Sequence, residues 1–176
     1  VTTAIYSTSI AIEGADPVDI AWNGDGTKLY EVNAGTIYEY DVSTPYDITT
    51  ATYNSNSLSM NDTKVRGAVW NNDGTKMYII GDGRVYQYTL STAFNLSTAS
   101  YDSLSFRVSD QEFQPTGIAF DKYGTRMYVL GNIEGRVYQY STSEDFELLE
   151  LGTGSFDAAD VGKTIEGNGG EVVLTT

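Results

Sequence analysis

The stretch Ile20-Ala21-Trp22-Asn23-Gly24-Asp25-Gly26-Thr27-Lys28-Leu29-Tyr30 decides the architecture, because it returns twice. It comes back as Ala68-Val69-Trp70-Asn71-Asn72-Asp73-Gly74-Thr75-Lys76-Met77-Tyr78 and as Ile118-Ala119-Phe120-Asp121-Lys122-Tyr123-Gly124-Thr125-Arg126-Met127-Tyr128, offset by 48 and then 50 residues. Self-similarity at such a period marks a chain built from stacked supersecondary units, so it takes precedence over any local reading.

Two further blocks share the period. Thr36-Ile37-Tyr38-Glu39-Tyr40 is followed by Arg84-Val85-Tyr86-Gln87-Tyr88 and Arg136-Val137-Tyr138-Gln139-Tyr140, the last offset growing to 52 at the loop Asn132-Ile133-Glu134-Gly135. Thr50-Ala51-Thr52-Tyr53 with Ser57-Leu58-Ser59-Met60 matches Thr98-Ala99-Ser100-Tyr101 with Ser103-Leu104-Ser105-Phe106. Each block is short, β-branched and aromatic, and bounded by turn residues, which reads as a strand. The first unit therefore predicts strands near Val18–Asn23, Lys28–Val32, Thr36–Asp41 and Ala51–Met60. Asp25-Gly26 and Asp73-Gly74 suit tight hairpins, because both residue types tolerate positive φ. Ala34-Gly35, Asp82-Gly83 and Glu134-Gly135 close the next hairpin of each unit.

Four antiparallel strands per unit of this length is the pattern of a propeller blade. Aromatic residues at both parities of Tyr38-Glu39-Tyr40 agree, since a blade is packed on both faces. The expected fold is all-β: three four-stranded antiparallel propeller-like blades followed by a C-terminal β-hairpin. Residues 1–156 form the repeat region, with units near 13–60, 61–106 and 107–156. Residues 1–12 read as the outer strand of a preceding unit, because Thr2-Thr3-Ala4-Ile5-Tyr6 aligns with Thr49-Thr50-Ala51-Thr52-Tyr53. Residues 157–176 leave the repeat, with a single helical turn allowed at Asp157–Val161 and strands on either side of Gly167–Gly170. Propellers close with about four to eight blades, so three units need further blades from a longer chain, a ring shared between chains, or an open stack.

Composition narrows the chemistry. The 176 residues contain no cysteine and no histidine, which removes disulfides, thiolates and imidazole catalysis. A net charge of −14 opposes nucleic acid and anionic membranes. No apolar run approaches the roughly 18 residues of a membrane span.

Each repeated side chain has a packing interpretation. A calcium loop begun at Asn23 needs a closing carboxylate where Ala34 stands, so Asn23–Gly26 and Asn71–Gly74 are expected to be turns. Trp22, Trp70 and Phe120 share one position and are expected in the core between blades, as are Tyr38, Tyr40, Tyr86, Tyr88, Tyr138 and Tyr140. Lys28, Lys76 and Arg126 are expected to form surface ion pairs beside the acidic turns, each worth about 0–1 kcal/mol. No residue is singled out as catalytic, metal-binding or cofactor-binding.

The segment Asp160-Val161-Gly162-Lys163-Thr164-Ile165-Glu166-Gly167-Asn168-Gly169-Gly170, with the apolar strand after it, resembles a segment of bacteriophage tail-fibre and other virion proteins. The Asp-Gly-Thr-Lys-x-Tyr and Val-Tyr-Gln-Tyr repeats resemble those of phage structural proteins and propeller-like surface proteins. The third unit departs from this at Lys122-Tyr123-Gly124. The resemblance implies a virion or extracellular, non-enzymatic structural or host-recognition component: a tail fibre, adhesin or decoration protein that self-associates or binds other virion proteins. Two other readings stand beside it. One is a propeller lectin binding a host surface glycan; the other is a glycan hydrolase using two carboxylates. The expectation includes no cofactor, nucleic-acid partner or membrane insertion.

Overall fold

The computed structural model describes residues 5–60 and 64–142, together with the backbone of 164–167 and 170–173. The first sheet comprises β1 (Pro17–Trp22), β2 (Lys28–Asn33), β3 (Thr36–Val42) and β4 (Ala51–Ser59). The second comprises β5 (Val65–Trp70), β6 (Lys76–Gly81), β7 (Arg84–Leu90) and β8 (Ala99–Arg107). Each is an antiparallel meander in chain order. In the third sheet the described residues supply β9 (Pro115–Phe120), β10 (Arg126–Gly131) and β11 (Val137–Ser141). The fourth strand expected for that unit falls on residues outside the described set, as does the turn proposed at Asp157–Val161.

The C-terminal hairpin forms as the sequence indicated. β12 (Thr164–Gly167) pairs with β13 (Gly170–Val173), from Thr164 opposite Val173 to Gly167 opposite Gly170.

The first hairpin of each unit uses a longer loop than the Asp-Gly pair suggests. Gly26 N–H donates to the Asn23 carbonyl, and Asn23 N–H to the Lys28 carbonyl, so a four-residue turn precedes the return strand. Gly26, Gly74 and Gly124 take φ of 74°, 75° and 68°, and the preceding aspartates do not share the positive φ. The Asp25 carboxylate is occupied by the N–H (3.0 Å) and hydroxyl (2.6 Å) of Thr27, and Asp73 binds Thr75 identically in kind. The Asn23 side chain accepts Lys28 N–H at 2.9 Å. In the third unit Asp121 takes over both tasks, accepting from Thr125 N–H and hydroxyl and from Arg126 N–H. This explains how Lys122-Tyr123-Gly124 makes the same turn without the repeated aspartate.

The sheets pack face to face in sequence. β5 lies against β1 on one side and β9 on the other, so the first strands of the units gather together. Gly67 marks the close approach, with Asp19 and Gly117 on either side of it. Every residue of β2 from Leu29 to Asn33 and of β6 from Met77 to Gly81 is buried, as two-sided packing requires.

Residues 1–4 of the expected outer strand lie outside the described set, and among the described residues 5–12 form no strand. Their packing still follows the repeat, since Ile10 sits on the Leu29, Tyr40 and Val42 cluster as Leu58 sits on the next one.

Candidate interaction surface

The junctions between sheets explain the repeated aromatics. Trp70 stacks on Tyr30 of the preceding sheet, with ring centroids 4.2 Å apart and planes inclined by 23°. Phe120 meets Tyr78 across the next junction at 4.6 Å, with the planes tilted by 45°. The Tyr30 hydroxyl donates to the Phe94 carbonyl at 2.5 Å, adding a polar tie across the first junction. Burial, then the carboxylates Glu39 and Asp41, push its pKa well above the ordinary tyrosine value.

Trp22 departs from its equivalents. It lies on the outer side of the first sheet, half-buried against Tyr46 at 5.4 Å, and is not part of a junction core. Tyr40 and Tyr88 are buried, while Tyr38, Tyr86, Tyr138 and Tyr140 are half-buried and pack on the clusters between or beside the sheets.

The repeated cations do not behave as one class. Lys28 turns away from the acidic turn and reaches Glu39 at 2.5 Å and Asp41 at 2.9 Å. Glu39 is fully buried whereas Asp41 is 61% exposed, so the network runs from the surface into the sheet, and its Lys28–Glu39 half corrects the expectation of a purely surface pair. Burial opposes the Lys28 charge, but the hydrogen bonds to Glu39 and Asp41 outweigh it and raise the lysine pKa. Asn54 joins from an irregularity in β4, donating to Glu39 at 2.7 Å and Asp41 at 3.1 Å. In the second sheet the carboxylate has moved across the strands. Lys76 pairs with Asp102 of β8 at 3.4 Å, while Gln87 and Thr89 stand where Glu39 and Asp41 stood. Only Arg126 faces its turn aspartate, at 3.7 Å from Asp121. Sequence comparison of single positions missed this exchange, because the charge is kept for the cluster and not for any one position.

The two outer sheet faces are different from the junctions. On β10, burial alternates: Met127, Val129 and Gly131 are buried, whereas Leu130 is 48% exposed. Its equivalents Val32 and Ile80 are fully buried beneath the next sheet. Val137 is 66% exposed where Ile37 and Val85 are fully buried. At the opposite end Ile20 is 65% exposed, while Ala68, at the same repeat position, is buried against the preceding sheet. Among the described residues, the outer faces of the first and third sheets thus expose positions that the two internal junctions bury.

No protein-family model matches the chain. No curated protein matches it significantly in sequence. Solved structures do. A functionally unknown protein from Desulfotomaculum acetoxidans superposes at a TM-score of 0.54 with 19% identity, over 90% of this chain and 46% of that one. A candidate 6-phosphogluconolactonase from Bacteroides fragilis superposes at 0.55 with 12% identity, over 71% of this chain and 34% of that one. The β-propeller domain of Cps50 (Swd1) from Myceliophteria thermophila gives 0.44 and 12% identity, over 84% and 43%. The fold is propeller-like. The chain spans less than half the length of these three structures.

Proposed function

We propose that this chain is a non-enzymatic assembly module, a structural or host-recognition component of a phage-like particle such as a tail fibre, adhesin or decoration protein. The observation that carries the assembly part is the exposure of Leu130 and Val137 at positions fully buried in both preceding units. Such an unpartnered apolar face favours association. Its occupant is a second copy of the same chain, which offers Ile20 and Trp22 in the positions from which Ala68 and Trp70 cover the first sheet. The contact is head-to-tail and heterologous, so it closes into a ring or propagates as a fibre. The particle role rests on the resemblance of the terminal segment and the repeats to phage structural proteins.

The absolute mass of residues 1–176, measured by light scattering across a concentration series, tests the assembly. The expected result is a mass that is a multiple of the monomer, returning to monomer in Leu130→Asp with the far-ultraviolet spectrum unchanged. A wild-type monomer at every concentration overturns self-assembly. Mass spectrometry of purified particles tests the setting, and failure to find the chain there removes the virion role.

A further inference from the structure

A cleft of about 490 Å³ opens between the second and third sheets, at the end where β6 turns into β7. This is within the range of about 300–1,000 Å³ typical of small-ligand sites. Phe113 lines it and is 63% exposed, a large aromatic ring that packing among the described residues does not account for. Around it stand Arg66, Asp82, Gln114, Thr116 and Asn132, which together offer hydrogen-bond donors and acceptors.

The loops that carry these groups are fixed before any ligand arrives. Gln111 and Glu112 N–H both donate to the Val108 carbonyl, at 3.0 and 2.8 Å. The buried Glu112 carboxylate accepts Gln114 N–H at 2.8 Å and closes against Gly131, leaving no room there for a side chain. Asn132 N–H donates to the Gln114 carbonyl at 3.3 Å, tying the two loops to each other. Glu112 thus acts as a positioning residue that turns Phe113 outward. Asn132 belongs to the loop where the third unit departs from the repeat spacing, and insertions in repeat proteins gather on the binding face.

The mix of an aromatic ring and polar groups selects the ligand class. Lys64 pairs with Asp82 at 3.0 Å, so the charged lining of the cleft is one ion pair and the guanidinium of Arg66. The single net positive charge is outnumbered by neutral hydrogen-bonding groups around Phe113, which disfavours a strongly charged guest. An aromatic face beside amides, a hydroxyl, a carboxylate and a guanidinium suits a molecule with an apolar C–H face and a rim of hydroxyls.

We propose that this cleft binds a neutral saccharide ring, with Phe113 beneath the ring and Asp82, Gln114 and Asn132 on its hydroxyls. The cleft lies within one chain and does not involve Leu130 or Val137, so it is independent of the assembly proposed above. A pre-formed site of this kind avoids the cost of ordering loops on binding.

The test is a chemical-shift titration of residues 1–176 with methyl glucoside, methyl galactoside, methyl mannoside and N-acetylglucosamine, with glucuronate as the charged comparison. At least one neutral sugar is expected to shift amides at 113, 114 and 132. Phe113→Ala should weaken that sugar about tenfold, and the exposure of Phe113 leaves the fold intact. Asn132→Ala supplies a second, equally exposed variant. The proposal is overturned if no neutral sugar shifts these amides, if the shifts occur elsewhere, if Phe113→Ala binds as well as the parent, or if only glucuronate binds.

Discussion

The buried carboxylate of Glu39 on β3 accepts the backbone N–H of Leu96, 57 residues further on, at 2.7 Å. Leu96 opens the single 3-10 turn before β8, so one carboxylate joins the first sheet to the outer connection of the second. The same carboxylate holds Lys28 and Asn54. Such a buried carboxylate is costly to remove, since the Leu96 N–H loses its acceptor in a dry site and Lys28 keeps only Asp41.

Glu39→Ala is therefore expected to destabilise the protein by about 3–5 kcal/mol. Glu39→Gln, which copies Gln87 of the second sheet, should cost less, about 1–3 kcal/mol, because an acceptor remains for Leu96 N–H. Denaturant unfolding of the two variants checks the order. Equal losses would mean that the charge contributes nothing beyond shape.

The Tyr30–Trp70 stack predicts how the first junction tolerates change. Trp70→Phe reproduces the pairing that Phe120 makes with Tyr78, so it should lose only about 1 kcal/mol of aromatic contact beyond the area removed. Trp70→Ala opens a cavity and should cost about 3–5 kcal/mol. Near-ultraviolet circular dichroism reports the ring pair directly, and an unchanged signal in Trp70→Ala would place the stack outside the folded ensemble.

Gly74 has φ of 75° and lies against the ring of Phe94, which leaves no space for a methyl group. Gly74→Ala combines left-handed strain with a clash and should cost more than about 1 kcal/mol. Removing the ring in Phe94→Ala relieves the clash and not the strain. A double-mutant cycle should consequently show coupling of about 0.5–3 kcal/mol between the two positions, and strict additivity would argue against the contact.

Acid and alkali should act through different residues. The side-chain and backbone hydrogen bonds of Thr27 and Thr75 hold Asp25 and Asp73 below the usual carboxylate range, and the Lys28 hydrogen bond does the same for Asp41. Depressed carboxylates stabilise the fold above their unfolded pKa of about 3.9, and that stability is lost as the pH falls through the lower folded values. Tyr30 and Tyr40 are raised, chiefly by burial, so their contribution is complete below about pH 10 and disappears as the pH climbs further. With no histidine in the chain, stability between these limits should be flat. Thermal unfolding across pH 3 to 11, with tyrosinate absorbance followed in parallel, checks both limbs; early ionisation of Tyr30 in the folded protein would contradict its burial.

The strands were legible because the periodicity of the chain repeats three times and each hairpin is bounded by its own turn residues. Positions such as Trp70 and Phe120 were readable as junction core for the same reason. Trp22 was not, because burial depends on what lies beyond the sheet, and a repeat pattern is identical at the end and in the middle of a stack. The Lys28 and Lys76 networks were also hidden. Their partners Glu39 and Asp102 sit on different strands, and Asn54 and Asp102 arrive through strand irregularities that no single-position comparison displays. Phe113 and the cleft beside it depend on loops brought together only by packing.

Glu31 has a consequence for the order of the units. It occupies the position of Ile79 and Val129, and its carboxylate is satisfied by the N–H groups of Glu13 and Gly14, the Tyr40 hydroxyl and the Asn33 amide. Those partners belong to the first unit and the segment leading into it. A gene rearrangement that moved β1 to β4 to the middle without residues 13 and 14 would carry the acid into a dry seam with only the Tyr40 hydroxyl and the Asn33 amide as donors. The three units are alike in outline but not interchangeable, because the first carries an acid and its own donors where the others carry an apolar side chain.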